Sequence, residues 1–313
     1  MKNNNGNNIS VILPVVYLNT YSTKALHSIA INISNYKSID FIIVCSSPET
    51  VEQVKNIIDE ITVGSNCKII CANNRSSNFL RGYARNYVET PFVIYQDCDD
   101  YIDYNLLIQK ANMYSEDSIL CFNIVKRIYS ENNIFLRTEK IYQLNNGPIS
   151  RIDKLPTNIV NKVIPTTYLD KLEFYDLPFS QDLSLSYQLF SMVDHVFLDD
   201  CIYTYEFYPS SSSKFCHTEL SSLKQVDEMR GILIDKYKGR PYDIAFLKYR
   251  YDILLGYRYN YLGVLYPIAR NFRILSIRHF GLSAVMRFLY HYVKLSINQF
   301  VVWCRSRFMR NTK

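Results

Sequence analysis

The sequence predicts an α/β fold built on a mostly parallel sheet flanked by helices. Continuous apolar runs at Ile9–Val16 and Ile39–Cys45 read as strands buried on both faces. Segments with helical spacing separate them at intervals that suit strand-helix-strand crossovers. A further apolar run, Phe92–Gln96, ends abruptly in Asp97-Cys98-Asp99-Asp100, at the kind of strand end where ligands collect in α/β folds.

Taken in order, Ile9–Val16 is the first strand, and residues 22–35 form a helix with Ala25, Ile29 and Ile33 on one face. Ile39–Cys45 is the second strand. Pro48–Ile61 is a helix carrying Val51, Val54, Ile57 and Ile58, and Lys68–Cys71 is the third strand. A short helix around Phe79–Tyr87 leads into the fourth. Beyond it come a helix at Asn105–Tyr114, a strand at Ser118–Val125, and a polar stretch over 126–160 that reads as loops and hairpin strands. Tyr168–Leu172 and Leu183–Ser191 read as helical, and His195–Leu198 and Cys201–Tyr205 as two strands. The serine run Ser210–Ser213 behind Pro209 is a loop. This alternation is that of a Rossmann-like sheet.

A chain of 313 residues holds one large domain or a domain with an appendage. The eight cysteines form no CxxC pair and no zinc-ligand spacing with histidine. Most lie in apolar runs, where a thiol acts as a small buried hydrophobe. No secretory signal is read at the start of the chain, and a reducing cytoplasm fits the cysteine usage. The net charge of +6 conceals an asymmetry. From Ile253 onward there is no Asp or Glu, while ten Arg and Lys residues alternate with Tyr, Phe, Leu and Ile. The rest of the chain is mildly acidic.

Along a strand, alternation sends Asp97 and Asp99 to one side and Asp100 to the other. Two carboxylates on one side repel unless a cation lies between them, and Mg²⁺ or Mn²⁺ takes one or two carboxylates plus substrate phosphates. The competing reading is an exposed turn or helix cap, where Asp is common. Upstream, Arg81-Gly82-Tyr83-Ala84-Arg85-Asn86 offers guanidinium groups that balance a diphosphate, or plain surface arginines. Asp182, in Phe179-Ser180-Gln181-Asp182, stands at a helix start, either as a base for an attacking hydroxyl or as a first-turn acid favoured by the helix dipole.

In this order and spacing the elements resemble the inverting glycosyltransferase family 2, with its GT-A fold. The resemblance rests on Ile12-Leu13-Pro14-Val15-Val16-Tyr17, Ala84-Arg85-Asn86, Asp97-Cys98-Asp99-Asp100, Asn161-Lys162, Gln181-Asp182, and Tyr203-Thr204-Tyr205 followed by serines. It covers residues 9–215 or so. It implies transfer of a sugar, with inversion, from a nucleotide-sugar donor to a glycan or lipid-linked acceptor in bacterial surface polysaccharide synthesis. By the same resemblance Asp99 binds the Mg²⁺ or Mn²⁺ directly, and Asp97 contacts the ribose or the metal. Asp182 is the general base, Pro14, Val15 and Tyr17 line the nucleoside pocket, and Arg85 lies near the diphosphate. Two departures stand out. The family's Asp-Asp-Gly-Ser turn is here Cys45-Ser46-Ser47-Pro48-Glu49, with Ser46 or Glu49 in place to substitute for its acid, and the family's Glu-Asp pair is Gln181-Asp182.

The expected organisation is a GT-A domain over 1–218 and a basic, aromatic helical extension over 219–313. The extension reads as an amphipathic surface for the cytoplasmic face of the inner membrane, or as a helical cap on the domain or a partner. An uncharged stretch such as Leu295–Cys304 is too short to span, and no motif supports nucleic-acid binding. Two other functions compete with transfer. A sugar nucleotidyltransferase wants a Gly-rich loop after the first strand, and Leu13–Ser22 has no glycine. A degenerate relative would bind nucleotide or glycan without turnover.

Overall fold

The structure, a computed structural model, describes residues 9–59, 66–150, 154–176 and 181–208. The chain divides into two compact units, residues 1–150 with 156–214 and residues 151–155 with 215–313. The first holds every element described below. The expected boundary at 218/219, the serine loop and the basic helical extension lie outside the described residues. Among the described residues no helix is long and apolar enough to cross a membrane.

The amino-terminal half is an alternating strand-helix run. β1 (Ile9–Val15) is buried at every position. α1 (Thr20–Asn35) starts where Asn19 accepts the N–H groups of Tyr21 and Ser22 while Ser22 Oγ accepts the Asn19 N–H. That reciprocal cap satisfies donors a helix start otherwise leaves open. The helix buries Ala25, Leu26, Ile29, Ala30 and Ile33. β2 (Ile39–Cys45), α2 (Pro48–Asp59), β3 (Cys67–Cys71), α3 (Ser77–Ala84) and β4 (Phe92–Tyr95) follow, with a 3-10 turn at Arg85–Tyr87. β1 pairs in parallel with β2 on one side and β4 on the other, and β2 pairs in parallel with β3.

The remaining strands make the sheet mixed. After β5 (Tyr101–Ile102) and α4 (Tyr104–Gln109) come β6 (Ser118–Tyr129), β7 (Phe135–Lys140), β8 (Gly147–Pro148), β9 (Lys162–Pro165), α5 (Gln181–Met192) and β10 (Asp194–Phe207). The main path runs β3-β2-β1-β4-β9-β6-β10-β5. β9 is antiparallel to both β4 and β6, and β10 is parallel to β6. The two strands expected at 195–198 and 201–205 form one, with irregular register between Leu198 and Tyr203. The segment expected as a helix at 168–172 is a 3-10 turn over Thr166–Lys171.

The chain direction places the site. β1, β2 and β3 step outward one way, and α3 brings the chain back to lay β4 on the other flank of β1. That reversal is the topological switch point of an open α/β sheet. Within β1, only Ile9–Ile12 pair with β4, and the Gln96 N–H closes the contact on the Ile12 carbonyl at 2.9 Å. Beyond that point Leu13, Pro14 and Val15 pair with β2 alone. Pro14 has no N–H to give, so it falls where β1 has lost one neighbour.

Gly82 lets α3 approach the 172–176 segment, since a Cβ there would lie 2.8 Å from Cγ and 3.0 Å from Cβ of Phe174. Ala in place of Gly gains about 1 kcal/mol of helix propensity, whereas overpacking costs roughly 1–3 kcal/mol. The close atoms belong to the stem of Phe174 and cannot swing clear, so overpacking wins. G82A is expected to lower unfolding stability by up to about 2 kcal/mol, the overpacking cost less the propensity gain, read as a lower urea midpoint at unchanged slope. An equal or higher midpoint would show that α3 has room to spare.

Candidate functional site

At the open end of β1 and β4 the chain turns sharply. The strand stops at Tyr95, and the Asp100 N–H bonds the Asp97 carbonyl at 3.1 Å, so Asp97–Asp100 is a β-turn. The alternation expected of a continuing strand therefore does not apply to the three acids. Asp100 is buried at 1% exposure, while Asp97 and Asp99 are partly exposed.

Asp100 is a structural anchor. Its Oδ2 accepts the Tyr203 hydroxyl at 2.7 Å and its Oδ1 accepts the Glu206 N–H at 3.0 Å. The same Tyr203 hydroxyl accepts the Asp97 N–H at 3.1 Å. Gln96 Nε2 bonds the Asp100 carbonyl at 2.9 Å, and Tyr104 donates to Gln96 Oε1. The turn is thus tied to β10 at two points. Burial pushes the Asp100 carboxyl up, with Asp99 and Asp97 adding to it.

Arg81 organises the other two acids. Its side chain is 5% exposed; Nη2 meets Asp97 Oδ1 at 2.5 Å and Nη1 meets Asp182 Oδ1 at 3.0 Å. Burial opposes its charge, and Asp97 and then Asp182 more than offset that, so the guanidinium stays protonated. Asp182 sits in the first turn of α5, where Oδ2 also accepts the Ile159 N–H at 3.3 Å. Burial raises the Asp182 carboxyl above the usual range, and Arg81 pulls against the rise. Gln181 accepts a hydrogen bond from Ser77 Oγ of α3 at 3.0 Å, a second tie between α3 and α5.

The other expected site residues fall around this cluster. Pro14 and Val15 are buried in β1, and Tyr17 is 63% exposed beyond its end. Ser46 is buried, and its hydroxyl donates to the Val16 carbonyl at 2.5 Å, pinning the exit of β1 to that of β2. Arg85 is exposed on the 3-10 turn after α3. Arg81, one helical turn earlier in the same motif, is the arginine that joins Asp97 to Asp182. The i, i+4 spacing of the two arginines placed them on one face of the helix, but nothing local showed which of them the fold buries.

Among the described residues no group of three or more His, Cys, Asp or Glu side chains is gathered for a metal ion. Asp99 is partly buried, and burial, then Asp97, pushes its carboxyl up to about 6. Arg81 occupies one oxygen of Asp97. One carboxylate and part of another suit a hard cation that completes its shell with diphosphate oxygens and water. The donor set fits such a shared ion rather than a cage of protein ligands alone.

No family model matches the chain, and no curated protein matches it at a significant level. Solved structures share its fold. The crystal structure of Staphylococcus aureus TarS residues 1–349 in complex with UDP-GlcNAc superposes with a TM-score of 0.55 at 14% identity, covering 84% of this chain and 83% of that one. A second crystal structure of TarS 1–349 superposes with a TM-score of 0.50 at 14% identity, over 84% and 82% of the two chains. The likeness shows a mixed α/β, GT-A-like glycosyltransferase fold with a central sheet flanked by helices.

Breaking the Arg81 cluster leaves two partly buried acids unpaired. R81M is expected to cost about 2–3 kcal/mol of stability at neutral pH, the low end for a broken buried pair because Asp97 is 36% exposed. The loss shrinks as pH falls and Asp182, whose carboxyl burial pushes up, takes up a proton. R85M is expected to stay within about 0.5 kcal/mol of the parent. Denaturant curves at neutral and acid pH check both, and equal effects of the two variants would refute the assignment of Arg81 over Arg85.

Proposed function

We propose that the chain is an inverting, nucleotide-sugar-dependent glycosyltransferase of surface-polysaccharide synthesis. The observation that carries this reading is the Arg81 bridge, which brings Asp182 to the Asp97–Asp100 turn at the switch point of the sheet. The shared fold with a TarS domain whose complex contains UDP-GlcNAc supports a nucleotide-sugar donor.

In the proposed reaction a hydroxyl of a glycan or lipid-linked acceptor attacks the anomeric carbon of the donor sugar. The new C–O bond forms as the bond from that carbon to the diphosphate oxygen breaks, and the hydroxyl proton passes to Asp182. One displacement from the opposite face inverts the anomeric centre. Asp182 suits the task because burial raises its proton affinity while the Arg81 guanidinium pulls against the rise. The Ile159 N–H and Arg81 fix its orientation. Asp99, with Asp97, would hold a Mg²⁺ or Mn²⁺ ion, which supplies neutralisation of the leaving diphosphate. Tyr17 is the exposed ring at the end of β1 available to lie against the nucleoside.

A panel of UDP-, GDP- and TDP-sugars with Mn²⁺, read by release of nucleoside diphosphate, tests this reading. Turnover with at least one donor is expected. D182N is expected to reduce kcat by about 10²–10⁴-fold with donor KM little changed, the contribution of a placed base. Because Asp182 is shifted upward, parent kcat should fall as pH drops through a value above the ordinary carboxylate range. D99N is expected to raise the Mn²⁺ concentration needed for half-maximal rate at least tenfold. Parent-like kcat in D182N would overturn the assignment of the base.

A further inference from the structure

Lys162 is the most deeply buried charged group beside the site, and the proposed chemistry does not use it. It is 0% exposed, and a lysine is seldom fully buried without partners. Its ammonium donates to the Pro156 carbonyl at 2.7 Å, to the Asn158 carbonyl, and to Asn161 Oδ1 at 3.2 Å. All three acceptors belong to the turn over 156–161, two ahead of Ile159 and one behind it. The Ile159 N–H of that turn is the donor to Asp182 Oδ2.

Other residues each grip the same turn on one side of Ile159. Ser186 Oγ of α5 donates to the Thr157 carbonyl at 2.9 Å, and the Tyr142 hydroxyl accepts the Thr157 N–H at 3.2 Å. Only the ammonium ties both sides of Ile159 together among these contacts. A neutral apolar side chain in its place would leave three buried oxygens without that donor, a costly arrangement in an interior.

We propose that Lys162 is a positioning residue for Asp182: it folds the 156–161 turn around its ammonium, holds the Ile159 N–H on Asp182 Oδ2, and places a buried positive charge near that carboxylate. This role rests on reading Asp182 as the base. The titratable groups that face Lys162 are Cys121 of β6, Asp182 of α5 and His195 of β10. Burial brings the ammonium down to about 8, opposed by Cys121 and Asp182, so it is charged at neutral pH. His195 is held neutral, first by burial and then by Lys162. In return, Lys162 favours the ionised form of Asp182.

Two readouts test the role without any substrate. The first is hydrogen exchange at the Ile159 amide in K162M, expected at least tenfold faster than in the parent, with β1 and β2 amides unchanged. The second is the titration of the Asp182 carboxyl by ¹³C NMR in K162Q, which keeps donors but not charge. Its midpoint is expected to move up as the nearby cation is lost. With a donor the parent turns over, both variants should lower kcat while leaving donor KM unchanged. If K162M fails to fold, K162Q carries the test. Parent-like Ile159 exchange in folded K162M, or an unmoved Asp182 midpoint in K162Q, would overturn the proposal. A parent without turnover on any donor would instead count against the glycosyltransferase reading, and the exchange and titration results would still decide the role of Lys162.

Discussion

A buried guanidinium with one carboxylate on each side governs the geometry of the site. Taking an arginine out of water costs several kcal/mol, and only close, well-directed partners offset it. Arg81 meets that condition through Asp97 at the exit of β4 and Asp182 at the start of α5. The α3–β4 pair and α5, about a hundred residues on, must therefore converge on one charge. Gly82 follows Arg81 directly and lets α3 pack tightly on the Phe174 segment that precedes α5. The close helix approach and the ion cluster are consequences of the same two neighbouring residues.

A second buried acid keeps this cluster in register with the far side of the sheet. Asp100 engages Tyr203 and the Glu206 backbone of β10, so the turn after β4 cannot move independently of that strand. The Tyr203 hydroxyl also accepts the Asp97 N–H, orienting the backbone of the residue that meets Arg81. Structure consumes Asp100 on both oxygens. For the proposed chemistry this leaves Asp99, the remaining oxygen of Asp97, and Asp182, whose carboxyl is raised by burial and lowered by a neighbouring cation.

The parallel half of the fold was legible because its strands are continuous apolar runs and its helices have clean periodicity. β9 was not, since it opens with a lysine and closes with a proline; only the partners of Lys162 at 156–161 explain its burial. β10 read as two strands because Asp199 and Asp200 interrupt the apolar pattern, yet the hydrogen bonding to β6 continues past them. The residues of the site were visible as types, and Asp97, Asp99 and Asp182 do cluster around one end of the sheet. Their geometry was not visible. Alternation presumed a strand through 100, but the chain turns after Tyr95. Choosing between Arg81 and Arg85 required knowing which turn along their shared face meets Asp97 and Asp182. That is tertiary information which a four-residue spacing does not carry.

In the proposed reaction a diphosphate and a divalent ion would meet at the Asp97–Asp100 turn, within reach of Asp182. Amide NMR spectra recorded with Mn²⁺ and UDP together test it most directly, because the ion broadens only the resonances near it. Broadening centred on Asp97–Asp100 and extending to Asp182, dependent on UDP and lost in D99A, is the result this account requires. Broadening elsewhere, or a pattern unchanged in D99A, would contradict it.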